Sequence, residues 1–178
     1  MTDNFASALL NWFDEHGRHN LPWQHNRTAY RVWVSEIMLQ QTQVATVIPY
    51  YQAFMQRFPD VHSLALAPTD DVLSHWSGLG YYARARNLQK AAQAVVQEHN
   101  GEFPRDQQQL EALSGIGRST AAAILAQSYN IKAAILDGNV KRVLARYHAV
   151  TGWPGQTAVL QTLWQFAEQH TPNDRIRD

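Results

Sequence analysis

Three observations predict an all-α fold. Apolar residues recur at helical spacing along nearly the whole chain, and no run alternates convincingly like a half-buried strand. Glycine, proline and helix-capping residues divide the pattern into roughly nine or ten short segments, each long enough for a helix and too short to stand alone. With 45% hydrophobic residues and six Trp in 178 positions, a packed core is within reach. The formal net charge is zero and the pI near 7.1, so any nucleic-acid partner must be met by a local patch, not a global field. There is no cysteine, which excludes disulfides, cysteine-ligated zinc and a self-contained iron–sulfur cluster. No signal-peptide pattern opens the chain and no apolar run approaches a membrane span, so a cytoplasmic protein is expected.

The first helix is expected over Asn4 to His16, with Phe5, Ala8, Leu9, Trp12 and Phe13 on one face and Gly17 ending it. A loop from Arg18 to Arg27 follows, carrying Leu21-Pro22-Trp23. His16, His19 and His25 offer no pair one helical turn apart within a helix, so they read as solvated or capping residues, with no metal. From Ala29 to Val44 the pattern is an almost wholly apolar helix broken by one carboxylate, Glu36. Its neighbours one turn away include Val32, Trp33 and Leu39. Burial among them would raise its pKa and fit it for general acid work, whereas a position at the rim would leave it solvated. Gln40-Gln41-Thr42-Gln43 closes this helix with a polar cluster that suits either solvation or hydrogen bonding to base edges.

Helices are then expected over Val44 to Phe58, over Ser63 to Ala67, and after Pro68-Thr69-Asp70-Asp71. Gly78-Leu79-Gly80-Tyr81-Tyr82 is a glycine turn feeding a helix with Arg84, Arg86 and Lys90. Aromatics beside arginines suit base wedging next to phosphate contacts. Tyr81, at the turn, is the wedge candidate, and Tyr82 is expected in the core. Two more helices, Gln107 to Leu113 and Arg118 to Ser128, flank Ser114-Gly115-Ile116-Gly117. Glycines there allow a tight turn and leave the N–H groups of the following helix facing outward, a place for a phosphate. Thr120 stands where a dinucleotide fingerprint needs its third glycine, and a helix precedes the turn, so a nucleotide-cofactor fold is not expected. Asp137 alone reads as a solvated acid at the next N-cap. Gly138 to Val150 carries Lys141, Arg142 and Arg146 on a polar face, Trp153-Pro154-Gly155 is a loop, and Gln156 to His170 is amphipathic. Thr171 to Asp178 is polar and expected to fray.

Taken together, Leu21-Pro22-Trp23, the stretch Trp33 to Val44, Gly78 to Leu88, and Ile135-Leu136-Asp137-Gly138-Asn139-Val140-Lys141-Arg142 resemble the adenine DNA glycosylases of the MutY type, within the endonuclease III superfamily of helix-hairpin-helix glycosylases. The resemblance runs to about Gln169. It implies a six-helix barrel domain over 29–135 with its helix-hairpin-helix at 107–128. An N-terminal helix and loop, 1–28, and an incomplete second helical domain, 136–178, would pack together. It implies removal of adenine mispaired with 8-oxoguanine or guanine in double-stranded DNA by a monomeric enzyme. The family's catalytic acid falls on Glu36 and its second carboxylate on Asp137. Gln41 and Tyr81 match residues that enter the duplex while the base is flipped out. Gly115, Gly117, Arg118 and Ser119 match the phosphate-gripping hairpin, Lys141 a backbone contact near the site, and Leu21, Trp23 and Asn139 the surroundings of the base.

Three departures from the family pattern bear on these expectations. Lyases of this superfamily carry a lysine where this chain has Ser119, so Schiff-base chemistry and an oxidised-pyrimidine lyase are disfavoured. Ser114 replaces a usual proline. The family continues with a four-cysteine 4Fe-4S loop and an 8-oxoguanine-reading domain that do not occur before Asp178, so Trp12, Phe13 or Trp164 are expected to be exposed. The competing expectation is a catalytically silent helix-hairpin-helix module that keeps DNA binding alone.

Overall fold

A computed structural model describes residues 4–177; Met1 to Asp3 and Asp178, at the ends of the predicted spans, lie outside the described residues. Among the described residues there are ten α-helices, one 3₁₀ turn and no strand. The helices are α1 (Asn4–His16), α2 (Ala29–Leu39), α3 (Val44–Arg57), α4 (Val61–Leu66), α5 (Thr69–Trp76), α6 (Ala83–Glu98), α7 (Gln107–Glu111), α8 (Arg118–Tyr129), α9 (Gly138–Tyr147) and α10 (Thr157–His170).

The large core is organised by α2 lying against α8. Both are apolar nearly all round, the pattern of helices enclosed by others. On α8, every residue from Thr120 to Ala126 is buried, and the short Ala121, Ala122 and Ala123 take up little space. Around the pair, α4 and α5 pack on α6, α3 packs on α2 and α5, and α7 packs on α8. Trp33, Phe54, Phe58 and Trp76 fill the middle. A second, smaller cluster is built on Leu136, Leu144, Leu163 and Ala167, where α9 meets α10, with Phe5 of α1 packed on it.

Several boundaries differ from expectation, each for a local reason. The helix predicted from Ser63 starts at Val61, because Asp60 caps it: its side chain accepts from Ser63 N, and Ser63 Oγ accepts from Asp60 N. Ahead of α5 the cap is Pro68, without a side-chain bond, and Asp70 and Asp71 sit inside the first turn, favouring the helix dipole. Helix α9 stops at Tyr147, short of Val150. Ala149 turns left-handed and Val150 N donates back to Ala145 O, a closing bond that ends the helix. Helix α1 is rotated from the predicted face: Ala6 is buried and Phe5, Leu10 and Phe13 are half-buried while Ala8, Leu9 and Trp12 are exposed, and Phe5 meets Tyr147 and His170, both at 4.5 Å. Of the aromatics expected to be exposed, Trp12 is. Phe13 is half-covered beside His19 and Trp164 beneath the Arg118 guanidinium.

The tail, expected to fray, makes side-chain and backbone bonds over its described residues. Arg175 grips Asp14 through two bonds, Arg177 donates to Ser128 O, and Arg27 donates to Arg177 O.

Candidate active site

Glu36 lies in the second half of α2, between buried Ser35 and Ile37, and faces α8. There the side chain of Gln127 donates to Glu36 Oε1 at 3.4 Å. The residue as a whole keeps some contact with solvent, yet desolvation is the dominant influence on its carboxyl. It pushes the pKa from the usual carboxylate value up to about 7; the Gln127 hydrogen bond opposes the rise and the negative charge of Asp137 adds to it. Glu36 is therefore a carboxyl poised between acid and carboxylate near neutral pH. The sequence around Glu36 is compatible with burial or with a solvated rim, and the packing of α8 decides for burial.

Asp137 is exposed at the N-cap of α9, accepting from Val140 N at 2.8 Å. The cap holds the carboxylate at a fixed point on the α9 start, where the helix dipole favours its charge. Just before it, Leu136 N donates to Ser119 Oγ at 3.2 Å, so Ser119 ties the Asp137 loop to the first turn of α8. Asn139 is exposed in that first turn of α9, and Lys141 is half-buried behind it. Gln127 is the functional candidate that sequence reasoning missed. A lone glutamine near a helix end gives no signal until its helix is known to lie against Glu36.

The hairpin between α7 and α8 divides its glycines. Gly115 has φ +78°, and a Cβ there would come within 2.9 Å of Asn87 Cβ, so glycine is required. Gly117 is extended at the N-cap of α8, and a Cβ there would meet nothing. Its bareness leaves the α8 N-terminus uncovered, as a phosphate contact needs. Arg118, beside it, is turned away: it pairs with Glu168 at 2.6 Å and lies 3.7 Å from the Trp164 ring centroid, joining α8 to α10.

Gln41 and Tyr81 are both exposed and both adopt positive φ, +56° and +49°. Tyr81 is 63% exposed, and Tyr82, expected in the core, is 41% exposed because the turn ends only as α6 begins and carries both rings outward. Arg84, read as a phosphate contact, points inward to the α2 end. Leu21 and Trp23 belong to the large core; Trp23 is 6% exposed, with its ring edge-on to Tyr51. A cleft of about 610 Å³ lined by Arg27, Arg31, Asp60, Arg105 and Ser128 contains neither carboxylate.

An all-helical fold with a glycine hairpin feeding a buried helix, and a desolvated glutamate within electrostatic reach of an N-capping aspartate, is the arrangement the family comparison meets. Residues 34–169 match the family described as "HhH-GPD superfamily base excision DNA repair protein", and the chain belongs to that superfamily. It is 48% identical over 168 residues to the adenine DNA glycosylase of Buchnera aphidicola subsp. Baizongia pistaciae, covering 94% of this chain and 47% of that protein. To the Homo sapiens adenine DNA glycosylase it is 46% identical over 174 residues, covering 93% and 32%. The chain thus spans about half or less of the curated relatives it matches. A thermostable thymine-DNA glycosylase superposes with TM-score 0.88 at 27% identity over 97% of this chain and 79% of that one. A non-covalent endonuclease III–DNA complex superposes with TM-score 0.79 at 21% identity, over 97% and 78%, and shares the fold.

The iron–sulfur cluster implied by the resemblance does not fit these residues, since there is no cysteine to hold it. Among the described residues no three His, Asp or Glu side chains gather as a metal site, and no helix is long and apolar enough to cross a membrane.

Proposed function

We propose that this chain hydrolyses the N-glycosidic bond of adenine mispaired with 8-oxoguanine or guanine in double-stranded DNA, without a lyase step. The observation that carries the reading is Glu36: a carboxyl whose burial holds its pKa at about 7, with the Asp137 charge near enough to contribute. In its acid form Glu36 donates a proton to a ring nitrogen of the flipped adenine, so the base leaves neutral as the bond to the sugar carbon breaks. The Asp137 carboxylate stabilises the positive charge on the sugar, or adds to it transiently. Water then adds to the same carbon and returns a proton, leaving free adenine and an abasic site, by the paired-carboxylate logic of glycoside hydrolysis. Ser119, bound to the Leu136 N–H, offers no amine for a Schiff base, which favours hydrolysis over strand cleavage.

On the DNA side, the bare N-terminus at Gly117, with Gly115 and Ser119 beside it, grips backbone phosphate, and Lys141 adds a backbone contact. Gln41 and Tyr81 enter the duplex at the mispair, supported by their exposure on turns held at positive φ. Leu21 and Asn139 border the extruded base, and Trp23 supports that border from the core. Arg118 acts by fastening α10 to the hairpin.

The test is a single-turnover assay on a duplex with adenine opposite 8-oxoguanine, scored before and after alkali, with wild type beside Glu36→Gln. Breaks that need alkali, and that vanish in Glu36→Gln, are the expected result. Breaks before alkali would overturn the hydrolytic step. Salt-sensitive binding without any breaks would leave a helix-hairpin-helix module that binds DNA and does no chemistry.

A further inference from the structure

Arg84, near the start of α6, is engaged by two separate turns. One terminal nitrogen, Nη1, donates to Ile37 O at 2.9 Å, to Met38 O at 3.1 Å and to Gln40 O, all at the C-terminal end of α2. The other, Nη2, donates to Thr42 Oγ1 at 3.3 Å, just past Gln41, and to Leu79 O at 3.2 Å and Gly80 O at 3.4 Å, just before Tyr81. The guanidinium carbon lies 5.4 Å from the Trp76 ring centroid and 5.5 Å from that of Tyr81. Trp76 Nε1 also donates to Gly80 O.

Helix α2 ends in carbonyls without intrahelical partners, and a cation there satisfies them and suits the dipole. That accounts for Nη1. It does not account for Nη2, which reaches past the helix end into both neighbouring turns. The residues beside these anchors, Gln41 and Tyr81, both hold a backbone conformation disfavoured for side-chain-bearing residues, and such conformations persist when the surroundings over-determine them. A planar fork with donors on two separate nitrogens can join two carbonyl sets at fixed spacing; a compact ammonium cannot.

We propose that Arg84 is a positioning residue that locks the Gln41 and Tyr81 turns into one two-pronged wedge with fixed spacing, an inference that rests on the duplex-entering role of those two residues. Arg84 itself touches no DNA. Its effect is felt in how much of the bound duplex has the base extruded, and not in how tightly the protein holds duplex without a mispair.

The experiment uses the full chain and a duplex with 2-aminopurine opposite 8-oxoguanine, whose fluorescence rises when the base unstacks, alongside affinity for fully paired duplex. Arg84→Lys keeps the charge and one hydrogen-bonding head. At saturating protein its extruded fraction relative to stacked is expected to fall about tenfold, a coupling in the usual range for residues of one hydrogen-bond network. Affinity for paired duplex stays at the wild-type value. Thr42→Val, a milder change that removes one acceptor, is expected to lower the ratio about threefold in wild type and to change nothing further in Arg84→Lys. Tyr81→Ala likewise loses most of its effect once Arg84→Lys is present.

A signal sensitive to Tyr81→Ala yet untouched by Arg84→Lys and Thr42→Val overturns the clamp alone, as does a fall matched by equal loss of paired-duplex affinity. If Arg84→Lys does not fold, Thr42→Val decides. A wild-type chain that gives no extrusion signal, or one indifferent to both Gln41→Ala and Tyr81→Ala, overturns the duplex-entering reading and the clamp with it.

Discussion

The two carboxylates are rooted in bodies of unequal weight. Glu36 rises from the middle of the large core, on α2, with Trp33, Ile37 and Met38 buried around it and the wholly buried stretch of α8 alongside. Asp137 caps α9, whose inner face reaches only the small cluster of Leu136, Leu144, Leu163 and Ala167. The difference matches the two tasks proposed for them. A pKa raised by desolvation needs dense, unyielding surroundings, because any water that penetrates restores the charged form. A carboxylate that must stay charged needs only a fixed position, which an N-cap and one hydrogen bond from Leu136 to Ser119 supply. Polar contacts that join the two bodies include Arg118 to Glu168, the Leu136 to Ser119 bond, and the bonds of Arg177 to Ser128 O and of Arg27 to Arg177 O.

The sharpest way to separate the two roles is Glu36→Gln, which keeps the shape and removes the proton donor. Excision in single-turnover assays is expected to fall by a factor on the order of 10²–10⁴, with duplex affinity nearly unchanged. Retained excision would break the assignment of Glu36.

Next in size is a test of the unequal weights. Leu163→Ala in the small cluster is expected to cost about 2–5 kcal/mol, the usual range for truncating a fully buried leucine. So large a loss from so small a cluster should detach α9 and α10 before the large core melts, seen as an early step in thermal unfolding by circular dichroism. Leu88→Ala in the large core should lower a single main transition. Indistinguishable curves would mean that the two clusters unfold as one cooperative unit.

The raised pKa of Glu36 has a stability signature. At pH below the unfolded-state value near 4.5 the carboxyl is neutral in both states and carries no penalty; as pH rises through about 7 the folded protein must accept a desolvated charge. Wild-type stability should therefore fall between about pH 4.5 and pH 7 relative to Glu36→Gln, read as a widening gap in Tm between the two proteins. Gln127→Leu removes the hydrogen bond that opposes this rise, so the loss of excision at high pH should move to higher pH. A limb that stays put, or moves down, would remove Gln127 from the site.

The smallest expected effect is at the joint. Ser119→Ala leaves the Leu136 N–H without its acceptor, at about 1 kcal/mol in thermal unfolding, and loosens the Asp137 loop, with a modest drop in excision. Excision unchanged at equal stability would mean that the cap alone fixes Asp137.

Much of the architecture is legible in the residues themselves. Helical periodicity in a chain without alternating runs points to the fold class, and the glycines at 115 and 117 mark the hairpin. A lone glutamate in an apolar helix is conspicuous because charge there is costly. Orientation is not legible in the same way. The apolar face of α1 reads as Phe5, Ala8, Leu9, Trp12 and Phe13, yet the helix buries Ala6 and leaves Ala8, Leu9 and Trp12 exposed while Phe5 packs on Tyr147 and His170. Tyr82 reads as core and is exposed, and Arg84 reads as a phosphate contact and is turned inward. Each depends on partners distant in sequence, which local patterns do not encode.

Neighbouring residues are thus enough to specify the helices, the hairpin and the out-of-place carboxyl of Glu36, because periodicity, backbone freedom and the cost of misplaced charge are local properties of the chain; Asp137 stands out only through the family resemblance. Packing in three dimensions settles the rest: that α8 lies over Glu36 and raises its pKa, that Gln127 is its hydrogen-bond donor, and that Arg84 joins two turns far apart in the chain. Desolvation and hydrogen bonding act through space, and their partners are chosen by how the helices meet.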